Sequence, residues 1–277
     1  MNAREGFLQE RKKGIGGTDM AVILGLSPYK TPLQLWLEKT GRAEDIPQPD
    51  AEERMYWGTV LEDVVARRYA DLNGCRIQRI NDPLVHPGGI LRGNIDRAII
   101  NPAIAGNVRV KDGRLTTDKI LEVKTAHAMA QNSADWGAPG SDEIPQHYWI
   151  QVQTYLGLSQ CPVADLAVLF GGQKLATYTI RADGDLFADL VSEAGAWWQK
   201  HIVADLPPEA STEDDARRLW KSHIAGKEKI VDVLIADAVQ QLAETKAAIS
   251  ALEQEEQDLR DVILSDFGDA EAISYMG

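Results

Sequence analysis

Cysteine is scarce in this 277-residue chain, long apolar runs are missing, and basic residues are outnumbered by acidic ones. Cys75 and Cys161 stand far apart with no CxxC or Cys/His spacing, which excludes the usual zinc modules and a disulfide framework; both are expected to be core thiols. No stretch approaches the roughly 18 uninterrupted apolar residues of a membrane-spanning helix, and the polar start from Met1 to Lys13 does not read as a signal peptide. A cytoplasmic protein is the expectation. With 29 Lys and Arg against 42 Asp and Glu, the net charge of −13 discourages indiscriminate adsorption to nucleic acid. The deficit is uneven, because residues 1–41 hold six basic side chains against four acidic, whereas residues 209–277 hold seven against sixteen. A locally basic channel for a duplex remains compatible with that distribution, since affinity follows the phosphates neutralised at the contact.

What the chain does contain is concentrated in residues 93–124. Gly93-Asn94-Ile95-Asp96 is followed by the apolar run Ala98, Ile99 and Ile100, and further on comes Leu121-Glu122-Val123-Lys124. Both acids sit in strand-like surroundings. Alternation along a strand puts Glu122 and Lys124 on one face while Leu121 and Val123 enter the core. If the Asp96 strand is an antiparallel neighbour, two carboxylates converge beside an ammonium. Such a group suits Mg²⁺ or Mn²⁺ bound through oxygen and a water activated for attack on phosphorus. The plainer alternative is a solvated strand with a surface ion pair.

Residues 11–41 are the second informative stretch. Thr18 has the chemistry of an N-cap before a short apolar helix ended by Gly25, and Gly14, Gly16 and Gly17 let the preceding backbone turn sharply. With Arg11, Lys12 and Lys13 beside it, this entry reads as an anion pocket whose guest is a phosphate. Those three bases otherwise form a solvated terminal charge run. Thr31-Pro32 opens a second helix that Gly41 closes, with Leu33, Trp36 and Leu37 on one face.

An amphipathic helix is predicted over 57–74, closed by Gly74, with Glu62 among the positions of its buried side. A carboxylate there needs a partner, for which Arg67 or Arg68 is available. Strands and turns follow over 75–100, a loop or hairpin over 101–118, and a polar loop over 125–142. His86, before a turn, has no close partner in sequence. Residues 144–157 read as a helix on which Gln151, Tyr155 and His147 share a face and Gln153 lies on another. A hairpin is predicted over 163–180 and a helix over 183–203. Beyond Pro208 comes a short helix and then one long one over 226–265, whose weak heptad seam of Ile235, Leu242, Ile249 and Ile263 with Leu252 and Leu259 points to a helical hairpin arm or partner-binding helix rather than a free coiled coil.

Asp96 with Glu122-x-Lys124 resembles the active-site signature of the PD-(D/E)XK nucleases. The segments GIGGTDMAVILGLSPYKTPLQLWLEKTG and WGTVLEDVVARRYADLNG, then the Asp96 and Glu122 strands and the Gln151-x-x-x-Tyr155 helix, resemble in content and order the lambda-exonuclease-type, YqaJ-like phage recombination nucleases. That resemblance implies an α/β restriction-endonuclease-like fold, a mixed central sheet flanked by helices, with a nuclease core over 1–208 and a helical extension over 209–277 for oligomer or partner contact. It implies that Asp96, Glu122 and the Val123 carbonyl ligate Mg²⁺, for which Mn²⁺ substitutes, with Lys124 acting on the water and Glu62 on a second metal. Arg11, Thr18, Asn94 and Gln151 would receive a terminal 5′-phosphate, with Tyr155, Gln153 and His147 as further contacts. The family further implies a processive 5′→3′ exonuclease on linear double-stranded DNA, leaving 3′ overhangs for a single-strand annealing protein, a ring-shaped homotrimer, and a phage or prophage gene expressed in a bacterial host. Two other readings stand beside it: a RecB- or Cas4-like nuclease of other polarity or an endonuclease, and a catalytically silent DNA-binding or assembly protein. Residues 268–277 resemble a point where related chains continue into a further strand, so a truncated sequence is expected.

Overall fold

A computed structural model describes residues 11–43, 49–220, 222, 225–268, 270, 272 and 274. In chain order come α1 (Gly17–Ile23), α2 (Pro32–Lys39) and α3 (Pro49–Asn73), then β1 (Arg76–Gln78), β2 (Leu84–Val85), β3 (Arg92–Gly93), β4 (Arg97–Ile100), β5 (Val110–Lys111), β6 (Arg114–Leu115) and β7 (Lys119–Ala126). A 3₁₀ turn (Ala128–Asn132) precedes α4 (Gln146–Ser159), β8 (Val163–Phe170), β9 (Lys174–Arg181) and α5 (Gly184–Trp197), which runs into a π-helical turn (Trp198–Val203). Helices α6 (Glu213–Leu219) and α7 (Val233–Phe267) complete the chain.

The central sheet has the order β1-β4-β7-β8-β9, with β7 and β8 parallel and the other pairs antiparallel. A parallel pair needs a crossover, and α4 supplies it. Both faces of the sheet are covered. On one, Leu121 and Val123 pack with Val65, Ala66 and Tyr69 of α3. On the other, Ile120 packs with Val152 and Leu156 of α4 in the larger core, which α1 and α2 join through Met20, Val22, Leu33 and Trp36. This is the mixed sheet flanked by helices that the sequence implies.

Local chemistry sets several boundaries. Thr31 Oγ1 accepts from the Gln34 amide at 3.2 Å while Gln34 Oε1 accepts from the Thr31 amide at 3.0 Å, a reciprocal cap with Pro32 just inside the helix. Asp112 and Gly113, both at positive φ, turn β5 into β6, which resolves 101–118 as a hairpin. The segment before α1 is tied to the sheet side of the molecule because the Ile15 amide donates to Ile90 O at 2.8 Å and Ile15 O accepts from the Arg92 amide at 2.9 Å.

Two expectations change. Helix α3 begins at Pro49, ahead of the predicted residue 57. The first compact unit runs to Trp220 rather than ending at residue 208. The reason is Asp215 of α6, which is fully buried and accepts from Thr31 Oγ1 at 2.8 Å and Ser211 Oγ at 2.9 Å. The second unit, Lys221–Gly277, is dominated by α7, capped by Asp232 accepting from the Ile235 amide at 3.0 Å. It is one uninterrupted 35-residue helix with none of its residues buried, so the arm is not a hairpin; the seam residues Ile235, Leu242 and Leu259 are exposed. The expected continuation at 268–277 falls largely outside the described residues.

Candidate active site

Strand β7 carries the chemistry. Its pairing with β4 ends at Arg97↔Leu121, so Asp96 lies just outside the ladder and Oδ2 accepts from the Val123 amide at 2.9 Å. On a strand the N–H and C=O of one residue point to the same side, so the Val123 carbonyl is turned toward Asp96 as well. One residue back, Glu122 projects to the α4 side. Its Oε1 accepts from Lys124 Nζ at 2.6 Å and from Gln151 Nε2 at 2.8 Å. Its Oε2 is buried with no hydrogen-bond partner.

An orphaned carboxylate oxygen in a protein interior carries a desolvation cost that something must offset. Burial, and then the neighbouring Asp96 charge, pushes the Glu122 carboxyl up from an ordinary 4.5 to about 8. Burial raises Asp96 too, against the pull of Lys124 and the Val123 amide. Burial works against the Lys124 charge, but Glu122 and Asp96 overcome it and hold its pKa above the ordinary lysine value. The site is thus short of positive charge. Among the described residues no three His, Cys, Asp or Glu side chains form a ready ion cage. The donor set present, two carboxylates and a carbonyl, fits a Mg²⁺ ion that keeps several of its waters, and the unpartnered Glu122 Oε2 is the atom such an ion would satisfy.

A cavity of about 560 Å³ opens over these groups. Its wall brings together Asp96, Glu122, Val123 and Lys124 with Glu62 of α3 and with Gln151 and Tyr155 of α4. Arg11, Thr18 and Asn94 line the same cavity. Tyr155 reaches it only because Gly17 and Gly93 leave room: a Cβ at either would come within 2.7 Å of the Tyr155 ring.

Several details differ from expectation. Gly16, not Thr18, caps α1; Thr18 lies in the first turn, exposed to the cavity. The Gly16 amide is taken by Asp19 Oδ2 at 3.0 Å, so the acid one residue on from Thr18 fills part of the expected anion cradle. Gln151 spends its amide nitrogen on Glu122 and on Tyr155 Oη at 3.1 Å. Glu62 pairs with neither Arg67 nor Arg68: its Oε1 accepts from Arg97 at 2.6 Å and Arg79 at 2.8 Å, while Arg67 takes Asp63. His147 is outside the cavity lining, its ring tilted against Tyr148 with centroids 4.0 Å apart and edge-on to Tyr29. Gln153 is also outside it, buried, with Nε2 donating to Arg181 O at 2.8 Å and Oε1 accepting from the Asp183 amide at 3.0 Å. Its work is to clamp the end of β9. Gln153→Leu is expected to lower stability by about 2 kcal/mol, read from the urea midpoint, with no change in turnover per folded molecule.

Sequence reasoning missed Asp19 and Arg92, which also line the cavity, and the buried Arg97 and Lys39 behind it. For three of them the available signal was a charge on an otherwise apolar face: Asp19 with Val22 and Ile23, Lys39 with Leu35 and Trp36, and Arg97 with Ile95 and Ile99.

The model of the YqaJ-like viral recombinase domain matches residues 6–162, the stretch that contains α1 through α4 and every cavity residue named above. The chain belongs to this family. An uncharacterized protein YqaJ of Bacillus subtilis (strain 168) is 32% identical over 277 residues, covering 97% of this chain and 80% of that protein. Among solved structures, this chain shares its fold with the alkaline exonuclease LHK-Exo from Laribacter hongkongensis, also solved in complex with dAMP. In each case the TM-score is 0.50 at 14% identity, over 72% of this chain and 93% of that one. Among the described residues of this chain, no helix is long and apolar enough to cross a membrane.

Proposed function

We propose that this protein is a Mg²⁺-dependent 5′→3′ exonuclease that digests one strand of linear double-stranded DNA and leaves 3′ single strands for recombination by annealing. The observation that carries the proposal is the unpartnered Glu122 Oε2, buried beside Asp96 in the same cavity as Arg11, Thr18 and Asn94. Asp96, Glu122 and the Val123 carbonyl would hold Mg²⁺, or Mn²⁺ in its place, and Glu62, steadied by Arg97 and Arg79, would serve a second ion. The bound ion would supply a Lewis acid for the phosphodiester and lower the pKa of the attacking water. Lys124 stays charged beside Glu122 and opposes the negative charge that develops on the phosphorus oxygens. Gln151 fixes the Glu122 rotamer through Oε1.

The proposed polarity rests on reading Arg11, Thr18 and Asn94, which line the same cavity as Glu122, as the receptor of the strand's end. A terminal 5′-phosphate received by Arg11, Thr18 and Asn94 brings the first phosphodiester toward Glu122, so the strand would be shortened from its 5′ end. The presence of dAMP on a protein of the same fold agrees with release of mononucleotides. The proposal extends to a homotrimeric ring around the duplex and to a single-strand annealing partner, both on the strength of the likeness to lambda-exonuclease-type nucleases.

The test follows a linear duplex labelled at one 5′ end, phosphorylated or dephosphorylated, beside the same DNA closed into a circle. Mononucleotide release from the phosphorylated 5′ end with circles spared is expected. Cutting of circles would instead assign an endonuclease, and equal rates on phosphate and hydroxyl ends would remove the phosphate pocket.

A further inference from the structure

Behind the cavity wall, the last residue of α2 makes a contact that packing alone does not require. Lys39 is buried, and its Nζ donates to Asp19 Oδ2 and to the main-chain O of Arg11, both at 2.6 Å. Asp19, also buried, accepts in turn from the Gly16 amide at 3.0 Å, and Arg11 Nη2 approaches its Oδ1 at 3.4 Å. The neighbours on the same helices, Leu35 and Trp36 on α2 and Met20 and Ala21 on α1, are core side chains. An apolar pair of similar volume would fill this place without the desolvation that a buried ion pair carries. What an apolar pair would not provide is a grip on Arg11 at two points, its carbonyl from Lys39 and its guanidinium from Asp19.

That grip matters because of where Arg11 stands. The segment entering α1 is fastened to β3 at Ile15, through Ile90 and Arg92, and Arg11 lies upstream of that fastening. An arginine side chain has several rotatable bonds, and holding it in one orientation before a phosphate arrives removes an ordering cost from binding. The remaining guanidinium N–H groups are then available to the cavity that Arg11 lines.

We propose that Lys39 and Asp19 are positioning residues for end recognition: together they hold Arg11 and the Gly16 turn in the geometry that distinguishes a 5′-phosphorylated end from a 5′-hydroxyl end. The proposal rests on the reading of Arg11 as a phosphate receptor. Neither residue touches the reacting bond, so the effect belongs to discrimination and to KM more than to kcat.

The test uses the full chain and one linear duplex with either end chemistry, measuring kcat and KM separately for the wild type, Lys39→Met, and the double variant Asp19→Asn with Lys39→Met. The double variant removes both buried charges at once, so it keeps the fold should the single one, in which buried Asp19 retains only Arg11 and the Gly16 amide, fail to fold; circular dichroism checks each. The expected result is a roughly tenfold fall in the phosphate-to-hydroxyl ratio of kcat/KM, carried by KM on phosphorylated ends, the scale of one charged hydrogen bond. A folded variant that slows on both ends by the same factor, with the wild-type ratio intact, overturns the positioning role. A wild type that does not discriminate at all overturns the phosphate reading itself, whatever the variants do.

Discussion

Glu122→Gln is expected to slow duplex digestion by about a hundredfold to a thousandfold or more and to leave the metal-free protein folded and at least as stable as the wild type. The amide retains an oxygen that accepts from Lys124 and Gln151, as Oε1 does now, and replaces the buried orphan Oε2 with a neutral group. What disappears is the charge, which is the property the proposed ion needs. Lys124→Met is expected to be as inactive but less stable without metal, because Asp96 and Glu122 would then face each other with no intervening cation. Digestion rates with Mg²⁺, set beside thermal melts followed by circular dichroism, separate loss of chemistry from loss of fold. Retention of activity by a folded Glu122→Gln would sink the assignment of this acid.

The second large effect is a pH-dependent response to the ion itself. Since burial and Asp96 lift the Glu122 carboxyl from 4.5 to about 8, its contribution to the metal-free fold is fully present below about 4.5 and is lost as pH climbs through 8. Deprotonation adds a second buried negative charge beside Asp96 that the single Lys124 ammonium only partly offsets, and that deprotonated form is the one that takes Mg²⁺. Saturating Mg²⁺ is therefore expected to raise the melting temperature by several degrees at pH 8.5 and by much less at pH 6. In Glu122→Gln most of the upshift should vanish at both pH values. An equal shift in wild type and variant, or none in the wild type at pH 8.5, would argue against an ion at Asp96 and Glu122.

The strand bearing Glu122 and Lys124 was readable in advance because alternation is a local property: Leu121 and Val123 go to one core and Glu122 to the other side wherever β7 sits in the sheet. The capped start of α2 was readable for the same reason, since Thr31, Pro32 and Gln34 act within one turn. Partners that come from distant parts of the chain were not. Glu62 pairs with Arg97, thirty-five positions away, because β4 passes under α3, whereas the nearest bases on its own helix, Arg67 and Arg68, stand five and six residues on, outside the i+3 and i+4 spacing of one helix face. Gln153 and Gln151 look alike in sequence, yet α4 is buried on nearly every side, so a polar residue there is committed to whichever element it meets: β9 for one, Glu122 for the other. Residue 208 looked like a boundary because Pro207 and Pro208 interrupt the pattern, but buried Asp215 draws α6 back onto α2.

The cavity is assembled from pieces far apart in the chain: Glu122 and Lys124 come from the middle of the sheet, Arg11 and Thr18 from the segment before and within α1, and α4 touches the first through Gln151 and the second through the Tyr155 ring against Gly17. Heritable change can therefore act on one without the other. On the proposed reading, substitutions among residues 11–19 would retune which termini are accepted while the bond-breaking strand stays as it is, whereas drift within β7 has no such freedom, because each of its residues pairs with β8 on one edge and Ile120, Leu121 and Val123 are also committed to the cores on its two faces. A lineage of such proteins would be expected to diversify in taste before it diversifies in chemistry.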